Sequence, residues 1–244
     1  MKVFFKKRVS TLLLAGVLTL SLAACGNTDS DGNSQEEVSQ TSGQESGMQP
    51  DISEQVESGN AASDGSNILI AYFTAAENSG VDAIASASYT TIDGQALGRV
   101  RAVADMIQEN VVGDLFSIRT SVVYPTDGGE LIDYAAQEQD ENARPELTSH
   151  IENPDQYDTI FIGYPNWWAD LPMAVYSFFD EYDFSGKTII PFNVHNGSRF
   201  SRTIQTIEEL EPDATVIEDG FTVSEQTVAK AAPDVAEWLE NLGY

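Results

Sequence analysis

The stretches YDTIFIGYPNWWADLP (157–172) and DFSGKTIIPFNVHNGS (183–198) decide how the rest of the chain is read. Each is a short apolar run that passes directly into a loop crowded with Pro, Asn, Gly and aromatic residues. Apolar runs without strict alternation fit strands covered on both faces, which is the environment of a parallel sheet. In open sheets of that kind, ligands bind in the crevice outside the strand ends. The two loops therefore read as the walls of a site for a flat molecule with polar edges. Trp167 and Trp168 sharpen the reading, because successive side chains diverge and both cannot face one core. At least one indole is expected to meet a ligand, beside Pro165 and Asn166.

Outward from this stretch, strand and helix patterns alternate. Asn67–Phe73 is an apolar run, Gly98–Asn110 carries apolar residues at helical spacing, and Asp114–Ile118 is strand-like again, which makes one βαβ unit. Residues 129–143 read as a helix stopped by Arg144-Pro145. Strands follow at 159–163 and 187–194 with a helix at 172–179 between them. A helix at about 200–210, a last strand within 214–223 and a terminal helix from about 224 to 242 complete the set. Five strands separated by helices predict an α/β, three-layer, doubly wound domain. Between Phe73 and the first long helix, ENSGVDAIASASYTTIDGQ is longer than a simple crossover turn requires. A loop of that length is expected to be functional or locally mobile.

The chain begins with an address. Lys2, Lys6, Lys7 and Arg8 precede an apolar run, 11–22, that is too short to span a bilayer. It ends in Leu22-Ala23-Ala24-Cys25-Gly26, where small residues before the only cysteine match a lipoprotein cleavage-and-lipidation box. Residues 1–24 are read as a signal peptide and Cys25 as the lipidation site. That leaves no thiol for a disulfide, catalysis or a metal. Only Lys7-Arg8 stands where a twin-arginine signal would, so export unfolded implies that any cofactor is acquired outside. Residues 25–66, rich in Ser, Gly, Gln, Asn and acids, cannot bury enough surface to order themselves and read as a tether with a reach of about 35 Å. Residues 67–244, about 178 positions, are long enough for one domain with a full core. The expected location is the extracytoplasmic face of the membrane, held by lipid.

The formal charge of the whole chain is −27, and loss of the four basic signal residues takes it to −31. That field repels nucleic acid and anionic headgroups. His150 and His195 are the only histidines, too few for a zinc hydrolase. No Gly-x-Ser-x-Gly elbow occurs, and Ser198, three residues after His195, does not by itself make a dyad. The Walker and Gly-x-Gly-x-x-Gly patterns are absent as well.

Strand 67–73, Tyr124-Pro125, NARPEL (142–147), YDTIFIGYPNWW (157–168), DFSGKTIIPF (183–192) and HNGS (195–198), in that order, resemble the flavodoxin-like family. They are most similar to the FMN-binding flavodoxin-fold lipoproteins of Gram-positive anaerobes. The resemblance covers nearly all of 67–244. It implies a five-stranded parallel sheet of order 2-1-3-4-5 and a non-covalently bound FMN. It also implies an electron carrier or a quinone- or NAD(P)H-type oxidoreductase, with a redox donor and acceptor as partners. Carried over by position, Thr74, Gly98 and Arg99 hold the phosphate, where a helix N-terminus suits a dianion. Pro165, Asn166, Trp167 and Trp168 lie along the isoalloxazine, and Tyr124 is a further cofactor-binding residue. Asn193, His195, Asn196, Gly197 and Ser198 follow its pyrimidine edge, with His195 as the donor of a hydrogen bond or proton.

Three departures stand out. Leu97-Gly98-Arg99 replaces Gly-Asn-Thr, with Arg99 able to supply charge and a fork of donors. PNWW replaces Pro-Ile-Trp-Trp, and FNVHNGSRFS replaces Thr-His-Gly-Gly-Ser-Gly, which puts Arg199 where glycine is usual. So acidic a chain is expected to disfavour an anionic reduced flavin and give a low potential for the last electron, with Asp170, Asp180 and Glu181 as the nearest contributors. The altered phosphate turn keeps a second possibility open, a flavin-free binding or scaffold module on the same fold.

Overall fold

The computed structural model describes residues 67–79 and 89–244. The signal, Cys25 and the tether lie outside the described residues.

The central sheet contains β1 (Ile68–Tyr72), β4 (Asp114–Ser117), β5 (Thr159–Pro165), β6 (Thr188–His195), β7 (Thr215–Val216) and β8 (Phe221–Ser224). All its pairings are parallel, and the order is β4-β1-β5-β6, with β7 and β8 both on the far side of β6. This is the expected order 2-1-3-4-5, with one difference: the fifth position is filled by two segments. The break lies opposite Pro191. The ladder runs through Ile189↔Val216 and resumes at Phe192↔Phe221. Proline has no N–H for a ladder, and the chain passes so close at Gly220 that a Cβ there would sit 2.4 Å from the Pro191 carbonyl.

The helices are α1 (Ala75–Ser79), α2 (Arg99–Asn110), α3 (Gly128–Asp140), α4 (Met173–Glu181), α5 (Thr203–Leu210) and α6 (Ala232–Leu242). On α2 the buried Val100, Val103, Ala104 and Ile107 follow the i, i+3, i+4, i+7 spacing that turns one face to a core. Alternation along β1 feeds two cores. Leu69, Ala71 and Phe73 pack with α3, α4 and α5, while Ile70 and Tyr72 pack with α2 and α6. Each fully buried large apolar side chain contributes about 1.5–3 kcal/mol before the entropy cost.

Two expectations change. The terminal helix does not begin near 224: β8 ends there, a 3₁₀ turn follows at Val228–Lys230, and Pro233 opens α6. The long gap after Phe73 is not all irregular. β2 (Tyr89–Ile92) and β3 (Gln95–Gly98) form an antiparallel hairpin, closed by Asp93 and Gly94, both at positive φ. An Asp-Gly pair suits that turn because its two central residues must be left-handed. β3 delivers Gly98 straight to the N-terminus of α2.

Candidate functional site

The C-terminal ends of β1 and β5 lie side by side, joined beyond the strands by Phe73 N–H donating to the Gly163 carbonyl at 2.9 Å. Three of the predicted groups of residues meet at this edge.

The first is the start of α2. Gly98 caps it without a side-chain hydrogen bond, and the first-turn amides of a helix have no intrahelical acceptor. Thr74 lies beneath: a Cβ at Gly98 would be 2.7 Å from Thr74 Oγ1 and 2.9 Å from its Cγ2. The Thr74 hydroxyl is fully buried, with no hydrogen-bond partner. A buried polar atom without a partner costs about 1–3 kcal/mol, and a ligand oxygen at this point would supply one. Arg99 turns toward Glu225, 3.8 Å away.

The second group is the loop after β5. Trp167 N–H donates to the Asp170 carbonyl and Asp170 N–H to the Trp167 carbonyl. The two residues between them, Trp168 and Ala169, have φ of 51° and 65°. A tight turn with both central residues left-handed normally uses Asn-Gly. Holding Trp-Ala there costs on the order of 1 kcal/mol or more per residue and persists only where the surroundings enforce it. Here they do: Gln139 Nε2 donates to the Trp167 carbonyl at 2.8 Å and Trp168 Nε1 to the Ile132 carbonyl at 3.0 Å. Asp170 accepts from Leu171 N–H, Tyr176 Oη and Thr206 Oγ1 and pairs with Arg202 at 3.3 Å. The two indoles diverge. Trp167 is 9% exposed and meets Phe73 and Tyr124 edge to face, whereas Trp168 is 57% exposed.

The third group is the loop after β6. Asn166 N–H extends the ladder to the Val194 carbonyl at 2.9 Å. The Arg199 carbonyl accepts from Asn166 Nδ2 at 2.6 Å and Asn193 Nδ2 at 2.9 Å, which knits the two loops together. Asn193 is fully buried and also accepts from Thr222 Oγ1. Asn166 Oδ1 is buried without a partner. His195 Nδ1 accepts from Gly197 N–H at 2.8 Å, so the neutral ring carries its proton on Nε2. Burial lowers the His195 pKa and Arg199 lowers it further, against an opposing pull from Glu225. The ring is therefore held neutral with one outward donor.

Tyr124 departs from its expected role. It is fully buried, packed edge to face on Phe73, Trp167 and Tyr134, and it braces Trp167 instead of lining the cleft. Pro165 is buried at the end of β5, and Asn196, Gly197 and Ser198 are exposed in the β6 loop. Of the three carboxylates expected to add negative charge, Asp170 is paired with Arg202 and Asp180 with Arg144, while Glu181 Oε1 lies 2.8 Å from His150 Nδ1. Sequence reasoning missed Glu225, Thr222 and Thr206, which hold Arg99, Asn193 and Asp170. Each lies far along the chain from its partner and bears no local signal. Among the described residues no cluster of three or more potential metal ligands occurs, and no helix is long and apolar enough to cross a membrane.

Comparison with known proteins agrees with this architecture. The family model described as flavodoxin matches residues 67–242, and the chain belongs to that family. Among solved structures, a candidate flavoprotein from Bacteroides uniformis is 25% identical over 72% of this chain and 99% of its own, with a TM-score of 0.55. One from Bacteroides eggerthii is 25% identical over 70% and 98%, at 0.51. A flavoprotein from Lactobacillus acidophilus in complex with FMN is 17% identical over 71% and 98%, at 0.49, too slight a likeness to carry weight. No curated protein matches the chain.

Proposed function

We propose that this chain binds FMN non-covalently at the ends of β1, β5 and β6 and transfers electrons between a donor and a quinone-like or protein acceptor. The observation that carries this reading is the buried, partnerless Thr74 hydroxyl beneath Gly98 at the uncapped start of α2. Membership of the flavodoxin family supports it. The residues present fit the group: a helix N-terminus without a side-chain cap and a buried hydroxyl for a phosphate, an exposed indole for a flat ring, and a neutral imidazole N–H for a polar edge.

When bound, FMN would supply one- and two-electron chemistry, which the protein tunes by contacts and dielectric. Thr74 and the first-turn amides of α2 would hold the phosphate, with Arg99 adding positive charge. Trp168 offers its face to the ring system. His195 holds a proton on Nε2 and would donate it in a hydrogen bond to the ring edge. No side chain is assigned as a nucleophile. The reading places the protein on the extracytoplasmic face, lipid-anchored through Cys25, an inference from residues 1–26 of the sequence.

Fluorescence titration of the purified protein with FMN and with riboflavin tests the proposal. FMN should be quenched with a Kd near or below about 1 μM and riboflavin should bind at least about tenfold more weakly, because it lacks the phosphate. Colourless protein that quenches neither would favour the flavin-free module.

A further inference from the structure

Six arginines lie among the described residues, and five face a carboxylate. Arg99 meets Glu225 at 3.8 Å, Arg101 meets Asp105 at 2.6 Å and Arg119 meets Glu77 at 3.7 Å. Arg144 meets Asp180 at 2.5 Å and Arg202 meets Asp170 at 3.3 Å. Arg199 is the exception: its guanidinium has neither an ion pair nor a hydrogen bond, although the chain holds 39 acidic residues. The side chain is exposed, and the backbone sits at φ 53°, where glycine would relieve strain. The Arg199 carbonyl is fixed by Asn166 and Asn193. Those bonds use only the backbone, so they do not require an arginine. Those same bonds seat Arg199 where the β5 and β6 loops meet, four residues after His195, whose pKa its charge helps to lower.

We propose that Arg199 is a specificity-determining residue that receives an oxyanion, such as a carboxylate or sulfonate, on the small molecule exchanging electrons at the His195 and Trp168 face. The inference rests on the function proposed above. His195 Nε2–H and the Arg199 guanidinium present donors from one loop, and a guanidinium grips planar oxyanions through paired donors. The long-range field of a molecule this acidic repels anions. Within a Debye length of about 8–10 Å, one uncompensated guanidinium can reverse that locally. A neutral partner would gain nothing from it, so the residue discriminates between partners.

The test compares wild type, Arg199→Gln and Arg199→Lys in the full chain. FMN-loaded protein reduced with dithionite is mixed with 1,4-naphthoquinone or 1,4-naphthoquinone-2-sulfonate. The reduced flavin gives up two electrons and its ring proton or protons, and the quinone takes up the two electrons with two protons, any not released by the flavin coming from solvent. The ratio of the two second-order rate constants is compared between proteins, which cancels the difference between the quinones themselves. Arg199→Gln should lower the preference for the sulfonate about tenfold, and Arg199→Lys should restore part of it.

A second readout needs no flavin. Naphthalene-2-sulfonate added to the apoprotein should shift the His195 ring-proton resonances in wild type and not in Arg199→Gln, with His150→Gln used to assign the two histidines. FMN affinity should be the same in wild type and Arg199→Gln. An unchanged quinone ratio, or loss of FMN affinity in Arg199→Gln, overturns the assignment to Arg199. Failure of wild type to bind FMN overturns the proposed function instead.

Discussion

Trp167 and Trp168 are neighbours with opposite fates, and their substitution separates folding from binding. Removing Trp167, packed on Phe73 and Tyr124, is expected to cost about 3–5 kcal/mol in urea unfolding. Removing Trp168, more than half exposed, should leave stability within about 1 kcal/mol and weaken FMN roughly tenfold. Glu138 carries a pH dependence. It is buried, accepts from Tyr124 Oη at 3.4 Å and borders a cavity of about 190 Å³, and burial raises its pKa to about 7. The folded state thus holds the Glu138 proton more tightly than the unfolded chain, whose carboxyl titrates near the ordinary glutamate value of 4.5. This stabilising contribution is complete below that value and is lost as pH rises through about 7. Allowing for water in the open cavity, the wild type should lose on the order of 1–2 kcal/mol between about pH 5 and pH 7.5 that Glu138→Gln does not lose. Urea midpoints at both pH values check this.

At the scale of elements, two glycines tie the sheet to the site. A Cβ at Gly163, in the middle of β5, would lie 2.2 Å from the Phe192 ring. At Gly98 the Cβ would press on Thr74, a stiff β-branched side chain. Gly163→Ala is expected to destabilise the fold by about 2 kcal/mol or more. Gly98→Ala should destabilise it less and abolish tight FMN binding, because it fills the place proposed for a phosphate oxygen. Urea unfolding and FMN titration of both variants give the comparison.

The elements were largely legible in the sequence, and the reasons are specific. β5 and β6 announced themselves as apolar runs ending in loop residues, and α2 by its spacing. The hairpin carries an Asp93-Gly94 turn signal, but the stretch around it, 77–95, has no apolar run to mark its strands. The split of the last strand depends on Pro191, a residue on another strand, so no local pattern could show it. The left-handed turn at Trp168-Ala169 was equally hidden, since neither residue favours that conformation and Gln139, Ile132 and Arg202 from other elements enforce it.

For the molecule as a whole, a formal net charge of −27 dominates encounters at a distance. Reduction of a cationic oxidant such as hexaammineruthenium(III) by the reduced, FMN-loaded protein is expected to slow as ionic strength rises, because salt screens the attraction. Stopped-flow rates across a salt series measure it, and a rate indifferent to salt would mean that the local surface outweighs the global field. The charge itself was legible from composition. Its local cancellation at Asp170 and Asp180 was not, since each arginine partner is remote in sequence.

A crystal structure of the protein grown with FMN would test the central claim most directly. The expected result is a phosphate within hydrogen-bonding distance of Thr74 Oγ1 and the α2 amides, with the ring system against Trp168 and its polar edge facing His195 Nε2. A flavin bound elsewhere, or a cleft closed by Trp168 and Arg199 with Thr74 still unpartnered, would contradict it.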